Sequence, residues 1–105
     1  MTLFCPQFHV FAALDREGEY ARALELYAKA LAIYEQVHGE GHPDTANMCY
    51  NMANIHEAQG ELQEAKALFE RSSAVYASCY GPEHGETTDA RSRLAAVCEA
   101  IQARA

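Results

Sequence analysis

Residues Gly18 to Thr45 read GEYARALELYAKALAIYEQVHGEGHPDT, a long helical pattern entered through Gly-Glu-Tyr and left through a Gly/His/Pro loop. A degraded copy, GELQEAKALFERSSAVYASCYGPEHGET, runs from Gly60 to Thr87, 42 residues further on. Gly18/Gly60, Glu19/Glu61, Ala23/Ala65, Leu26/Leu68, Ala32/Ala74, Tyr34/Tyr76, Gly39/Gly81, His42/His84 and Thr45/Thr87 are identical at this offset. Tyr27/Phe69, Lys29/Arg71 and Ile33/Val75 are conservative pairs. A fixed period of this size marks a repeat architecture, in which each unit buries its face against the next.

Working outward, Phe4, Phe8, Phe11 and Leu14 recur at spacings of three and four. That spacing predicts a first helix from about Pro6 to Glu17. Gly18 is expected to end it as a glycine free to turn left-handed. Glu19 to Val37 is the second helix. Its apolar face, from Tyr20 through Leu26, Tyr27 and Ile33 to Val37, is wide enough to meet a neighbour on each side. The third helix, about Pro43 to Gln59, starts with Pro43 at a first helical position and Asp44 at the positive end of the helix dipole. Gly60 closes it. The fourth helix, Glu61 to Tyr80, is expected to bury Leu62, Ala65, Leu68, Phe69, Ser72, Val75, Tyr76 and Cys79. The last, about Glu86 to Gln102, carries Leu94, Ala95, Val97, Cys98 and Ile101 and has no following partner helix. The prediction is an all-α, right-handed superhelical solenoid in one domain, residues 1–105. Repeat 1 spans about 4–38, repeat 2 about 43–80, and a half repeat about 86–103.

The formal net charge of −7 argues against nucleic acid and against an anionic membrane surface, both of which call for Lys and Arg. It suits a neutral or basic partner, and equally simple solubility in the cytoplasm. Cys5, Cys49, Cys79 and Cys98 show no C-x-x-C spacing. Three of them sit at apolar positions of helical patterns, which predicts reduced, buried thiols and no metal site. The N-terminal stretch MTLFCPQFHVFAAL lacks a basic n-region and is interrupted by Pro6, Gln7 and His9. It is too short to span a bilayer and is expected to belong to the fold.

Ala46, Cys49, Asn51, Met52, Ala53, His56, Gly60, Ala65, Leu68, Phe69 and Ser72 fall in a pattern that resembles a tetratricopeptide repeat. The loop from Gly39 to Thr45 resembles that of the 42-residue variety found in kinesin light chains and nephrocystin-like proteins. The resemblance covers the chain from about Val10 onward. It departs at Phe11, which stands where Ala53 and Ala95 place a small residue, so the first unit is expected to be a distorted cap.

The resemblance implies a protein–protein interaction module, a scaffold or adaptor. A peptide segment of a partner would lie across the concave face of the first helix of each pair. Its groove positions carry over to Asn47, Tyr50, Asn51, Asn54 and Glu57 in the second repeat, and to Asp89, Ser92 and Arg93 in the last helix. Phe8, His9 and Ala12 are their counterparts in the first repeat. The spacing of Asn47, Asn51 and Asn54 puts three amides on one helix face. Each amide both donates and accepts, so the row suits an extended peptide backbone. A solvated polar face would carry the same residues. Arg93 has the planar fork for a ligand carboxylate. A clamp for a chaperone's C-terminal carboxylate is not expected, because Phe8 and Asp89 stand where such clamps want Lys.

His42 and His84 hold equivalent loop positions, which fits a structural hydrogen bond at a helix start better than metal or acid–base chemistry. Asp44 and Glu86 fit as dipole partners, and His56 as a core or hairpin contact. Tyr27, Tyr34, Tyr76 and Tyr80 read as packing residues, with Tyr50 facing the groove. No nucleophile with a matched base, no glycine-rich phosphate loop and no paired carboxylates are visible, so neither enzyme activity nor a cofactor is expected. A different class of function is structural. Leu94, Val97, Cys98 and Ile101 are expected to form an apolar edge on the unpaired last helix, able to seal a homodimer or dock on a parent array.

Overall fold

The computed structural model describes residues 16–104, with side chains from Gly18 onward. Four helices follow one another: α1 (Arg16–His38), α2 (Pro43–Ala58), α3 (Leu62–Tyr80) and α4 (Gly85–Arg104). There is no strand among the described residues. The expected first helix, with Phe4, Phe8, Phe11 and Leu14, lies outside them, as do Cys5 and the distorted cap.

The two long joints are built alike. At the first, Gly39 takes φ +86° and Thr45 donates its hydroxyl to the Gly39 carbonyl at 2.9 Å. At the second, Gly81 takes φ +102° and Thr87 donates to the Gly81 carbonyl, also at 2.9 Å. His42 Nδ1 accepts the backbone N–H of Asp44 at 3.0 Å, and His84 Nδ1 accepts that of Glu86 at 3.1 Å. Each imidazole thereby satisfies one of the orphan donors at a helix start. Each also stacks on the ring four residues earlier, His38 in one joint at 4.2 Å and Tyr80 in the other at 4.5 Å. Pro43 occupies the first turn of α2, where its missing N–H is harmless.

The short α2–α3 joint is a glycine-closed reversal. Gly60 takes φ +81°. The N–H of Gly60 reaches Glu57 O at 3.0 Å, and that of Glu61 reaches His56 O at 2.8 Å. This double bond pattern is the Schellman motif, which needs a left-handed residue that glycine supplies without strain. His56 Nδ1 and Glu61 Oε1, 2.6 Å apart, lock its two sides together.

Gly18 departs from its repeat partner. α1 is already helical at Arg16 and runs through Gly18, which does not take a left-handed φ. The expected helix end at Gly18 is therefore wrong. A glycine inside a helix costs only about 1 kcal/mol relative to alanine, so a strong helical neighbourhood carries through it.

The core has two parts. Ala53, Leu62, Ala65, Phe69 and Val97 form one cluster, and Ala46, Tyr76 and Ala90 the other. Helix α3 lies between α2 and α4, and α1 packs on α2. Arg71 on α3 also donates to the Glu35 carboxylate on α1. Thr45 and Thr87 are fully buried, which the helical periodicity did not predict.

Two expectations about burial are corrected. Cys79 is exposed, its thiol donating to Gly41 O at 3.2 Å, because the last turn of α3 passes beside the loop that enters α2. Cys49 alone of the described cysteines is fully buried. The apolar edge expected on the last helix does not exist as such. Val97 is fully buried, and Leu94 and Ile101 pack on the first cluster, because α4 turns that face to α3. Cys98 is half-buried. Helix α1 packs on α2, and the first helix expected on its other side lies outside the described residues. Leu26, Ile33 and Val37 remain 60%, 58% and 68% exposed. No described helix is long and apolar enough to cross a membrane.

Candidate partner-binding face

Helices α2 and α4 both pack on α3, and polar side chains join them. Tyr50 on α2 donates its hydroxyl to the Asp89 carboxylate on α4. One turn or so along, Arg93 Nη2 donates to Asn54 Oδ1 at 2.7 Å and to Glu57 Oε1 at 2.9 Å. Tyr76, reaching in from α3, donates to Asn47 Oδ1. The seven residues expected in the groove, Asn47, Tyr50, Asn51, Asn54, Glu57, Asp89 and Arg93, thus lie along the two facing helices. Ser92 is exposed beside Arg93. Phe8, His9 and Ala12 fall outside the described residues.

The network alters what the asparagines can do. The acceptor oxygens of Asn47 and Asn54 are engaged within the chain, and their amide N–H groups have no partner among the described residues. Asn51 is half-buried and has no side-chain hydrogen-bond partner among the described residues. The row therefore offers mainly donors, with both functions retained at Asn51.

Tyr50 is not simply a groove residue. Its ring packs on both core clusters and meets Phe69 edge-on at 5.5 Å and Tyr76 at 6.5 Å. Burial, and then the hydrogen bond to Asp89, push its phenol up to about 12. Burial likewise raises the phenol of Tyr76, with Glu86 as the next cause. Both hydroxyls stay protonated donors at neutral pH, so their acceptors on the face are fixed.

The charges of this face are Glu57, Glu86 and Asp89 against Arg93. Helix α2, from Pro43 to Ala58, contains no Lys or Arg. Arg93 is held by Glu57, so a ligand carboxylate has to displace that partner before the fork is free. Its guanidinium also sits over the Phe69 ring, 5.8 Å from the centroid. Phe69 is a member of the site that the sequence places only in the core. No local spacing connects it to Arg93.

The joint histidines serve the scaffold. His38 Nε2 and His42 Nδ1 lie 3.9 and 3.8 Å from Asp44 Oδ2. The second joint performs the same capping with Tyr80 where the first has His38, so the shared task of His42 and His84 is to start a helix.

The helices follow one another through two matching loops at a 42-residue offset. The sequence matches the tetratricopeptide repeat description over residues 12–78 and again over residues 47–104. The chain belongs to the tetratricopeptide repeat family. It is an all-α helical repeat solenoid, and tetratricopeptide repeats as a class mediate protein–protein interaction. No curated protein matches the sequence significantly. Within the repeat frame, the tied face of α2 and α4 is the surface formed by the first helices of two successive repeats.

Proposed function

We propose that this tetratricopeptide chain is a scaffold or adaptor that binds a peptide segment of a partner protein across the face of α2 and α4. The observation that supports it most is the row Asn47, Asn51 and Asn54, whose free amide N–H groups line one side of that face. Such donors suit the carbonyls of an extended peptide, which has no internal partners for them. The anionic balance of Glu57, Glu86 and Asp89 over Arg93 favours a neutral or basic peptide. The Gly39-to-Thr45 loop and the 42-residue period resemble those of the kinesin light chain and nephrocystin-like variety, which supports membership of that variety, and the acidic composition is compatible with the cytoplasm.

A peptide-array screen followed by calorimetry tests this. Replacing Asn47, Asn51 and Asn54 together by Ala is expected to abolish binding of the selected peptide while the far-ultraviolet helical signal is retained. Unchanged binding rejects the face.

A second reading is self-association, and a different surface supports it. Leu26, Ile33 and Val37 form an exposed apolar stripe on α1. A dimer seen by light scattering that becomes monomeric in Ile33→Glu supports this reading. A monomer at all concentrations ends it.

A further inference from the structure

We propose that Glu57, Asn54 and the ring of Phe69 form a guanidinium-binding cradle, that the chain's own Arg93 fills it, and that an arginine side chain of the partner enters by displacing Arg93. This rests on the reading of the α2–α4 face as the partner-binding surface. It adds the residue type that the face selects and the contact that holds it closed.

Three different groups converge on the Arg93 guanidinium. Asn54 Oδ1 accepts at 2.7 Å and Glu57 Oε1 at 2.9 Å, both from the same Nη2. The Phe69 ring lies 5.8 Å from the guanidinium carbon. A neutral acceptor, a carboxylate and an aromatic face together suit a planar cation better than an ammonium. Two of the three groups, Asn54 and Glu57, stand on α2, and Phe69 stands on α3 and is fully buried. Helix α4 supplies the occupant, Arg93, and also Val97, which is buried in the same cluster as Phe69.

The occupant fits imperfectly. Arg93 Nε is buried and has no hydrogen-bond partner among the described residues. A buried donor without a partner is costly, and an arginine arriving from another direction need not bury its Nε there. The Arg93 side chain is 42% exposed and that of Glu57 is 29% exposed, so a partner side chain can reach both. Exposed ion pairs of this kind are weak, so exchange of one guanidinium for another is nearly balanced, and further peptide contacts decide it.

The probe is N-acetylarginine amide, with N-acetyllysine amide as the control. In Arg93→Ser the arginine probe is expected to bind about tenfold or more tighter than to the wild-type chain, shifting the Asn54 side-chain amide resonances. The lysine probe gains less, and adding Glu57→Gln removes the gain. Should Arg93→Ser fail to fold, Arg93→Lys takes its place, and it too must bind the arginine probe more tightly than wild type does. Equal binding by wild type and folded variant, or equal gains for the two probes, overturns the cradle. An array-selected peptide separates the two readings. Where the triple asparagine variant loses that peptide but Arg93→Ser gains no probe binding, the face stands and the cradle falls. Where Arg93→Ser gains probe binding but the asparagine variant keeps the peptide, the cradle stands and the face falls.

Discussion

Arg93 on α4 is tied to Glu57 on α2 by a charged hydrogen bond of 2.9 Å, across 36 positions of sequence. The contact links helices of successive repeats, so it couples their angle to the chemistry of the face. Both groups are partly exposed, which discounts the pair to about 1 kcal/mol or less. Arg93→Ala is therefore expected to lower the midpoint of thermal unfolding by roughly 4–8 °C per kcal/mol for a domain of this size. Added salt is expected to shrink the difference between wild type and Arg93→Ala. A difference that does not respond to salt removes the ion pair from the account.

The buried threonines are separate supports. Thr45 and Thr87 each donate to a glycine carbonyl at 2.9 Å with no exposure of their own. Thr45→Val keeps the shape and removes the donor, so it is expected to destabilise by about 1–3 kcal/mol in urea unfolding. Thr87→Val is expected to behave alike, because the two joints share one geometry. Thr45→Ser keeps the bond and is expected to lose less than Thr45→Val.

The two glycines at equivalent repeat positions are expected to respond with opposite signs. Gly60 is left-handed, and Gly60→Ala is expected to destabilise by about 1–2 kcal/mol. Steric contact adds little, since the new Cβ would lie 3.6 Å from Arg104 Nη2. Gly18 is helical and a Cβ there would meet nothing among the described residues, so Gly18→Ala is expected to stabilise by about 0.5–1 kcal/mol. Equal signs for the two substitutions refute the continuous helix through Gly18.

Tyr50 makes stability depend on alkaline pH. In the folded chain its phenol is pushed up to about 12, first by burial and then by the hydrogen bond to Asp89. The folded state therefore holds a proton that the unfolded state releases. The associated stability is complete below pH 10, falls as pH rises from there, and is lost once pH passes about 12. A tyrosinate absorbance titration of Tyr50→Phe should lose the step near 12 while the raised Tyr76 phenol stays, and its stability should decline less over that window.

Much of this molecule was legible from period and pattern. The 42-residue offset, the loop glycines and Pro43 announce helical pairs with matched joints, because local propensity and capping act over a few residues. The His42 and His84 caps follow from their recurrence alone. Thr45 and Thr87 recur in the same way, and that recurrence was the signal that they are structural.

The site was legible only in part. The asparagine row is a local spacing, so it could be read. The engagement of its oxygens by Tyr76 and Arg93 spans 29 and 39 positions and depends on how the helices lie together. For the same reason Phe69 could not be joined to Arg93, nor could Val97 be known as buried while Val37 is exposed. Both valines sit in similar apolar stripes, and a stripe records that a helix wants a neighbour without recording which helix supplies it.

The helices from Glu19 onward, the loop caps and the 42-residue repeat were readable from the residues alone, because short-range spacing and backbone conformation set them. Which stripes are covered, and that Arg93 rests on Glu57 and Phe69, were settled by the packed helices. Those outcomes depend on packing between segments far apart in the chain, where burial and charge are shared among partners that no local pattern names.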